Sequence, residues 1–134
     1  MKHNLVLISH GNFCEELKNS AEMIMGSQNN IYTVPLLPSE GPEDFKKKFF
    51  DIVQGLDEYI VFADLMGGTP CNIISKEIIS GGNIPLYAGM NLPMVISFIN
   101  GELINVESDF VVDGKNSICD VGKVIVEDLK FEDE

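Results

Sequence analysis

Leu5-Val6-Leu7-Ile8 is an unbroken apolar run with no alternation of polar residues. A strand facing water on one side alternates in character, so a continuous run of this kind belongs to a strand buried on both faces. Such a strand needs helices above and below it, which confines the chain to parallel-sheet architectures. The same pattern recurs. Ile31–Leu36, Tyr59–Ala63 and Ile84–Ala88 are further short apolar runs, and each is separated from the next by a helix-length segment. Phe13, Leu17, Ala21, Ile24 and Met25 keep helical spacing up to a stop at Gly26, as do Phe45, Phe49, Ile52 and Val53 up to Gly55. Ile73, Ile74 and Ile78 mark a third helix ending at Gly81-Gly82, and Val95, Phe98 and Ile99 a fourth beginning at Asn91.

Strands alternating with helices read as βαβ units with right-handed crossovers. Pro35 cannot donate to a ladder, which places the second strand at an edge. The expected fold is therefore a doubly wound three-layer α/β/α arrangement with four parallel strands in the order 2-1-3-4. The first and third strands flank the switch point, where ligands bind beyond the carboxyl ends of the strands. Beyond Gly101 the pattern weakens: Leu103–Val112 fits helix or strand, and Gly122–Asp128 (G-K-V-I-V-E-D) reads as a fifth strand.

Two strand ends carry chemistry. Ser9-His10-Gly11 follows the first strand, with Asn12 and Glu15 spaced as in a capping box at the start of the next helix. Asp64 closes the third strand, ahead of Gly67-Gly68-Thr69-Pro70-Cys71-Asn72. The glycines permit a sharp turn, Thr69 is expected as N-cap and Pro70 as the first helical residue. If the two strands are neighbours, His10 and Asp64 face each other in one crevice. A carboxylate accepting from one imidazole nitrogen fixes the tautomer and leaves the other nitrogen as a nucleophile. The backbone N–H groups at Gly67 and Gly68, with the Thr69 hydroxyl, would cradle a phosphoryl group or oxyanion. Asn91, as the next N-cap, would line the same crevice. Against this stand the plainer readings: a solitary histidine is most often structural, and Asp64 and the glycines could simply start a helix. Cys71 in the first turn of that helix offers a Cys–His hydrolase as a further reading, opposed by the tendency of small cysteines to sit in cores.

The 134 residues, 45% of them apolar, suit a single domain spanning 1–134 with its core in residues 1–100. The net charge of −12, from 21 acidic against 9 basic residues, argues against nucleic acid as a partner, since phosphate binding needs a basic face. Part of the excess lies in an acidic tail, residues 129–134 at its end. Cys14, Cys71 and Cys119 have no metal-like spacing and read as reduced thiols of a cytoplasmic protein. No apolar run reaches membrane-span length, and Met1-Lys2-His3 shows no signal-peptide pattern. No cluster of metal ligands is visible and no cofactor is called for.

Three motifs, S-H-G at Ser9–Gly11, D-x-x-G-G-T-P-x-N at Asp64–Asn72 and G-M-N-L-P-M at Gly89–Met94, occur in that order. Together they resemble the mannose/fructose/sorbose-type IIA component of the bacterial phosphoenolpyruvate-dependent sugar phosphotransferase system, over about residues 1–100. The resemblance implies a phosphotransferase function: His10 is phosphorylated on Nε2 by the phosphocarrier HPr and passes the group to a separate IIB component, itself serving membrane IIC and IID components in sugar uptake. It implies that Asp64 holds the other ring nitrogen, that Thr69 stands where relatives commonly have serine, that Asn72 joins Gly67, Gly68 and Thr69 around the phosphoryl group, and that Ser9, Gly11 and Asn91 line the site. It also implies a homodimer in which a C-terminal antiparallel strand, here residues 122–128, is exchanged. A phosphorylation-dependent regulatory protein of the same domain type is the competing expectation.

Overall fold

The structure, a computed structural model, describes residues 3–132. Four parallel strands lie in the order β2-β1-β3-β4: β1 (Asn4–His10), β2 (Ile31–Leu36), β3 (Tyr59–Ala63) and β4 (Leu86–Ala88). The expected order and the edge position of the Pro35 strand both hold. Side chains along β1 alternate between two cores. Leu5 and Leu7 pack with Cys14, Leu17 and Ala21 of α1 (Phe13–Met25) and with Val95, Phe98 and Ile99 of α4 (Leu92–Ile104). Val6 and Ile8 pack on the other side with Phe45, Phe49 and Val53 of α2 (Pro42–Val53) and Ile73 and Ile74 of α3 (Thr69–Ile79). All four β1 residues are fully buried. This is the physical content of the L-V-L-I run: every residue is claimed by one face or the other.

The alternation also directs the two residues that end β1. Ser9 continues the Leu5/Leu7 series towards α1, and His10 continues the Val6/Ile8 series towards α3. On the α1 face, Phe62 closes the core at its centre, with Tyr87 and Phe110 rings at 5.9 and 5.1 Å in edge-on contact. Pro42 opens α2, and the Asp44 carboxylate accepts from the Gly41 N–H.

Several local expectations are corrected. On α1, Phe13 and Ile24 are exposed, and Cys14 takes the inward position. Asn12 occupies the N-cap site but makes no side-chain cap bond. The ambiguous stretch after Gly101 is helical at both ends and irregular between: α4 runs on to Ile104, Asn105 ends it in the left-handed conformation, residues 106–109 form no regular element, and α5 spans Phe110–Asn116. Residues 122–128 are not a strand. They lie within a helix, α6 (Val121–Glu132), whose residues 121–130 are all exposed. The V-I-V run has strand-like composition, but composition needs a ladder partner to act on, and none is bonded to it here. Residues 133 and 134 of the acidic tail, like Met1 and Lys2, lie outside the described residues.

Truncating Phe62 to alanine removes the ring that Tyr87 and Phe110 pack against. Denaturant unfolding should show a loss of about 3–5 kcal/mol with an unchanged slope.

Candidate functional site

Four strand ends converge at the carboxyl end of the sheet and are stitched by three backbone hydrogen bonds. The Gly11 N–H donates to the Leu36 carbonyl, the Asp64 N–H to Ile8, and the Met90 N–H to Ala63. Gly11 and Gly67 both take positive φ, 57° and 89°, which non-glycine residues resist. The glycine turns foreseen at these positions are therefore real backbone requirements.

His10 and Asp64 meet as the neighbouring strands require. Asp64 Oδ2 lies 2.7 Å from His10 Nδ1 and also accepts from the His10 backbone N–H at 2.9 Å. Its Oδ1 accepts from the Leu65 N–H at 2.9 Å. Burial alone would raise the Asp64 pKa, but bonds from the His10 backbone, the His10 ring and the Leu65 backbone outweigh it and leave the carboxyl below its usual range. An ionised carboxylate only accepts, so Nδ1 must carry the proton. In the neutral ring the Nε2 lone pair is then free. The His10 side chain is 49% exposed while Asp64 is 11% exposed, so the carboxylate is sheltered and the ring faces outward.

Gly68 approaches the ring closely. It is the N-cap of α3, and Thr69, not Pro70, is the first helical residue. The expected Thr69 cap is thus displaced by one position. Proline is tolerated at either of the first two helical positions, so its presence did not fix the boundary. A helix cannot pair the N–H groups of its own first turn, and the N-cap of α3, Gly68, lies against the His10 ring. Asn72 Nδ2 donates to the Gly67 carbonyl at 3.2 Å and braces the turn from the helix side.

Ser9 plays a part that the motif alone did not reveal. Fully buried, its hydroxyl donates to the Gly11 carbonyl and accepts from the Cys14 N–H, both at 2.9 Å. It therefore caps α1 in place of Asn12 and locks the turn that follows His10. Its strand parity was the available signal. Asn91 caps α4 as expected, accepting from the Met94 N–H at 3.0 Å, and its Nδ2 reaches towards the Gly114 carbonyl. Both of its polar ends are thus used within the α4–α5 region. Cys71 is buried in the α2–α3 core with Phe49 and Ile74, which removes the Cys–His hydrolase arrangement.

No arginine occurs in the chain, so all nine basic residues are lysines. Lys48, the one on the neighbouring α2–β2 corner, is held by the Pro35 carbonyl and the Glu40 carboxylate. An anion at His10 would rest on backbone N–H groups and the helix dipole, with no guanidinium available.

A doubly wound sheet presenting a half-exposed, carboxylate-held histidine at its switch point defines a class, and sequence comparison supplies the family. The model of the "PTS system fructose IIA component" family, EIIA-man, matches residues 4–112, and the chain belongs to that family of phosphotransferase-system components. It is similar to the fructose-specific EIIA component of Bacillus subtilis, 29% identical over 72% of this chain and 68% of the relative. It is also similar to the mannose-specific EIIAB component of Escherichia coli K12, 30% identical over 69% of this chain but spanning only 29% of that longer protein. Among solved structures, the IIA protein associated with the fucose utilization operon of Streptococcus pneumoniae superposes with a TM-score of 0.83 at 25% identity, covering 93% of this chain and 97% of that one.

Because the folded Asp64 carboxyl lies below its ordinary value of 3.8, its contribution to stability is complete above that pH and is lost as pH falls through the lower folded value. Asp64→Asn should therefore be less stable than wild type at pH 7, by about 1–3 kcal/mol. The two unfolding curves should converge only at pH below 3.8.

Proposed function

We propose that this chain is a histidine phosphoryl carrier of the sugar phosphotransferase system. On this reading it accepts a phosphoryl group from phospho-HPr on His10 Nε2 and passes it to a IIB component, and so to uptake through IIC and IID in the membrane. The observation that carries the reading is the 2.7 Å Asp64–His10 Nδ1 contact, which leaves Nε2 as the nucleophilic nitrogen.

The chemistry asks for positioning and charge stabilisation rather than for new covalent machinery. The Nε2 lone pair attacks phosphorus in line as the bond to the donor nitrogen breaks. The imidazole gains positive charge, which Asp64 stabilises through Nδ1–H while remaining ionised itself. The equatorial oxygens lie towards the N-terminus of α3, where backbone N–H groups around Gly67, Gly68 and Thr69 and the Thr69 hydroxyl receive them. Asn72 holds that turn in shape; Ser9 and Gly11 hold the turn on the other side. The return step, to IIB, runs the same path in reverse.

An acidic chain of net charge −12 favours encounter with a basic phosphocarrier, an attraction that salt should weaken. These steps belong in the cytoplasm; among the described residues no helix is long and apolar enough to cross a membrane. The family relationship and the exposed Val121, Val124, Ile125, Val126 and Leu129 of α6 favour a homodimer. Sedimentation should then give a dimer for the full chain and a monomer after removal of residues 121–134.

Intact-mass measurement after incubation with phosphoenolpyruvate, enzyme I and HPr should show one acid-labile phosphoryl adduct. His10→Ala should show none. Transfer of the adduct to a cognate IIB separates a transport relay from a regulatory role, and an unmodified wild type beside phosphorylated HPr would remove the relay altogether.

A further inference from the structure

Glycine at a helix N-cap is ordinarily explained by its backbone, but Gly68 has φ −83° and ψ 162°, an extended conformation open to any residue. Its reason must lie in space. A Cβ built on Gly68 would fall 2.5 Å from His10 Cε1 and 3.3 Å from His10 Nε2, with Leu65 Cδ2 at an ordinary 3.5 Å. The first separation is far inside van der Waals contact. The ring has little freedom to yield, because its Nδ1 is bonded to Asp64 and its own backbone N–H is bonded to the same oxygen. By contrast Gly41, the N-cap of α2 with φ −101° and ψ −179°, would place a Cβ no nearer than 4.0 Å to anything, the Asp44 carboxylate.

We propose that Gly68 is a positioning residue for phosphoryl transfer: its missing side chain lets the His10 ring lie against the start of α3 while Nδ1 stays on Asp64. The inference rests on the carrier function proposed above and adds a second restraint to it. Asp64 fixes the ring from the Nδ1 side and Gly68 sets how near Cε1 and Nε2 come to the helix end. A methyl group at position 68 pushes the ring off one or the other. Nε2 is then out of line with any group seated on the α3 amides, and misplacement of about 1 Å is enough to slow such a transfer on the order of a hundredfold.

The test compares Gly68→Ala with Gly41→Ala as the control. Phosphorylation from phospho-HPr should slow by roughly tenfold to a hundredfold in the first and stay at the wild-type rate in the second. The downfield Nδ1–H proton resonance expected of the His10–Asp64 bond should move or vanish in Gly68→Ala only. Wild-type rate, or slow transfer with that resonance unchanged, would overturn the proposal, the latter pointing to direct phosphoryl contact instead. A double-mutant cycle covers poor folding: the stability lost in Gly68→Ala should be recovered when His10→Ala is added, since the clash is then removed. An equal loss in both backgrounds would also overturn it. If wild type takes up no phosphoryl group, the carrier reading fails by itself, and the resonance and the cycle still decide the steric claim.

Discussion

One carboxylate oxygen holds the working edge of this molecule together. Asp64 Oδ2 accepts from both the backbone and the ring of His10, so it joins the tips of β3 and β1 and sets the histidine tautomer in the same act. The neighbouring turns depend on that junction. Leu65 is tied to the other oxygen, the Gly67 turn follows, and α3 starts where His10 leaves room for it. A carboxylate with three N–H donors is a strong acceptor even when sheltered, which is why its pKa falls although burial acts against it.

Much of the architecture could be read from the chain because burial on two faces leaves a mark in composition. Leu5–Ile8 and Tyr59–Ala63 are continuous apolar runs because α1 and α4 claim one side of the sheet and α2 and α3 the other. Pro35 likewise carried real information, since a residue without an N–H is best placed on an edge strand. The meeting of His10 and Asp64 followed from strand order alone: in a 2-1-3-4 sheet the ends of the first and third strands must be adjacent.

What stayed hidden depends on contacts remote from local pattern. Ser9 caps α1 from within the strand, five residues ahead of the Cys14 amide it serves, a bond that exists only once the turn is folded. Asn12 has the right residue type at the cap position and goes unused. Gly68, not Thr69, is the N-cap of α3, and the close approach of the His10 ring to it is a tertiary contact that local pattern does not announce. At the C-terminus, Val124-Ile125-Val126 has β-branched character, but strand propensity is largely a measure of packing against neighbours, and this segment lies exposed on a helix outside the sheet.

His10 belongs to β1 itself rather than to a loop beyond it. Its backbone is therefore fixed by pairing with β2, and one ring nitrogen is held by Asp64. If His10 is the carrier proposed above, a stationary acceptor of this kind offers a single doorway. Two proteins exchanging a group through it could then not be present together; each would leave before the next arrives, and each would present its reacting atom along the same line. Such a site imposes a shared shape on its visitors, so that the geometry of one strand end becomes a constraint on surfaces in other molecules.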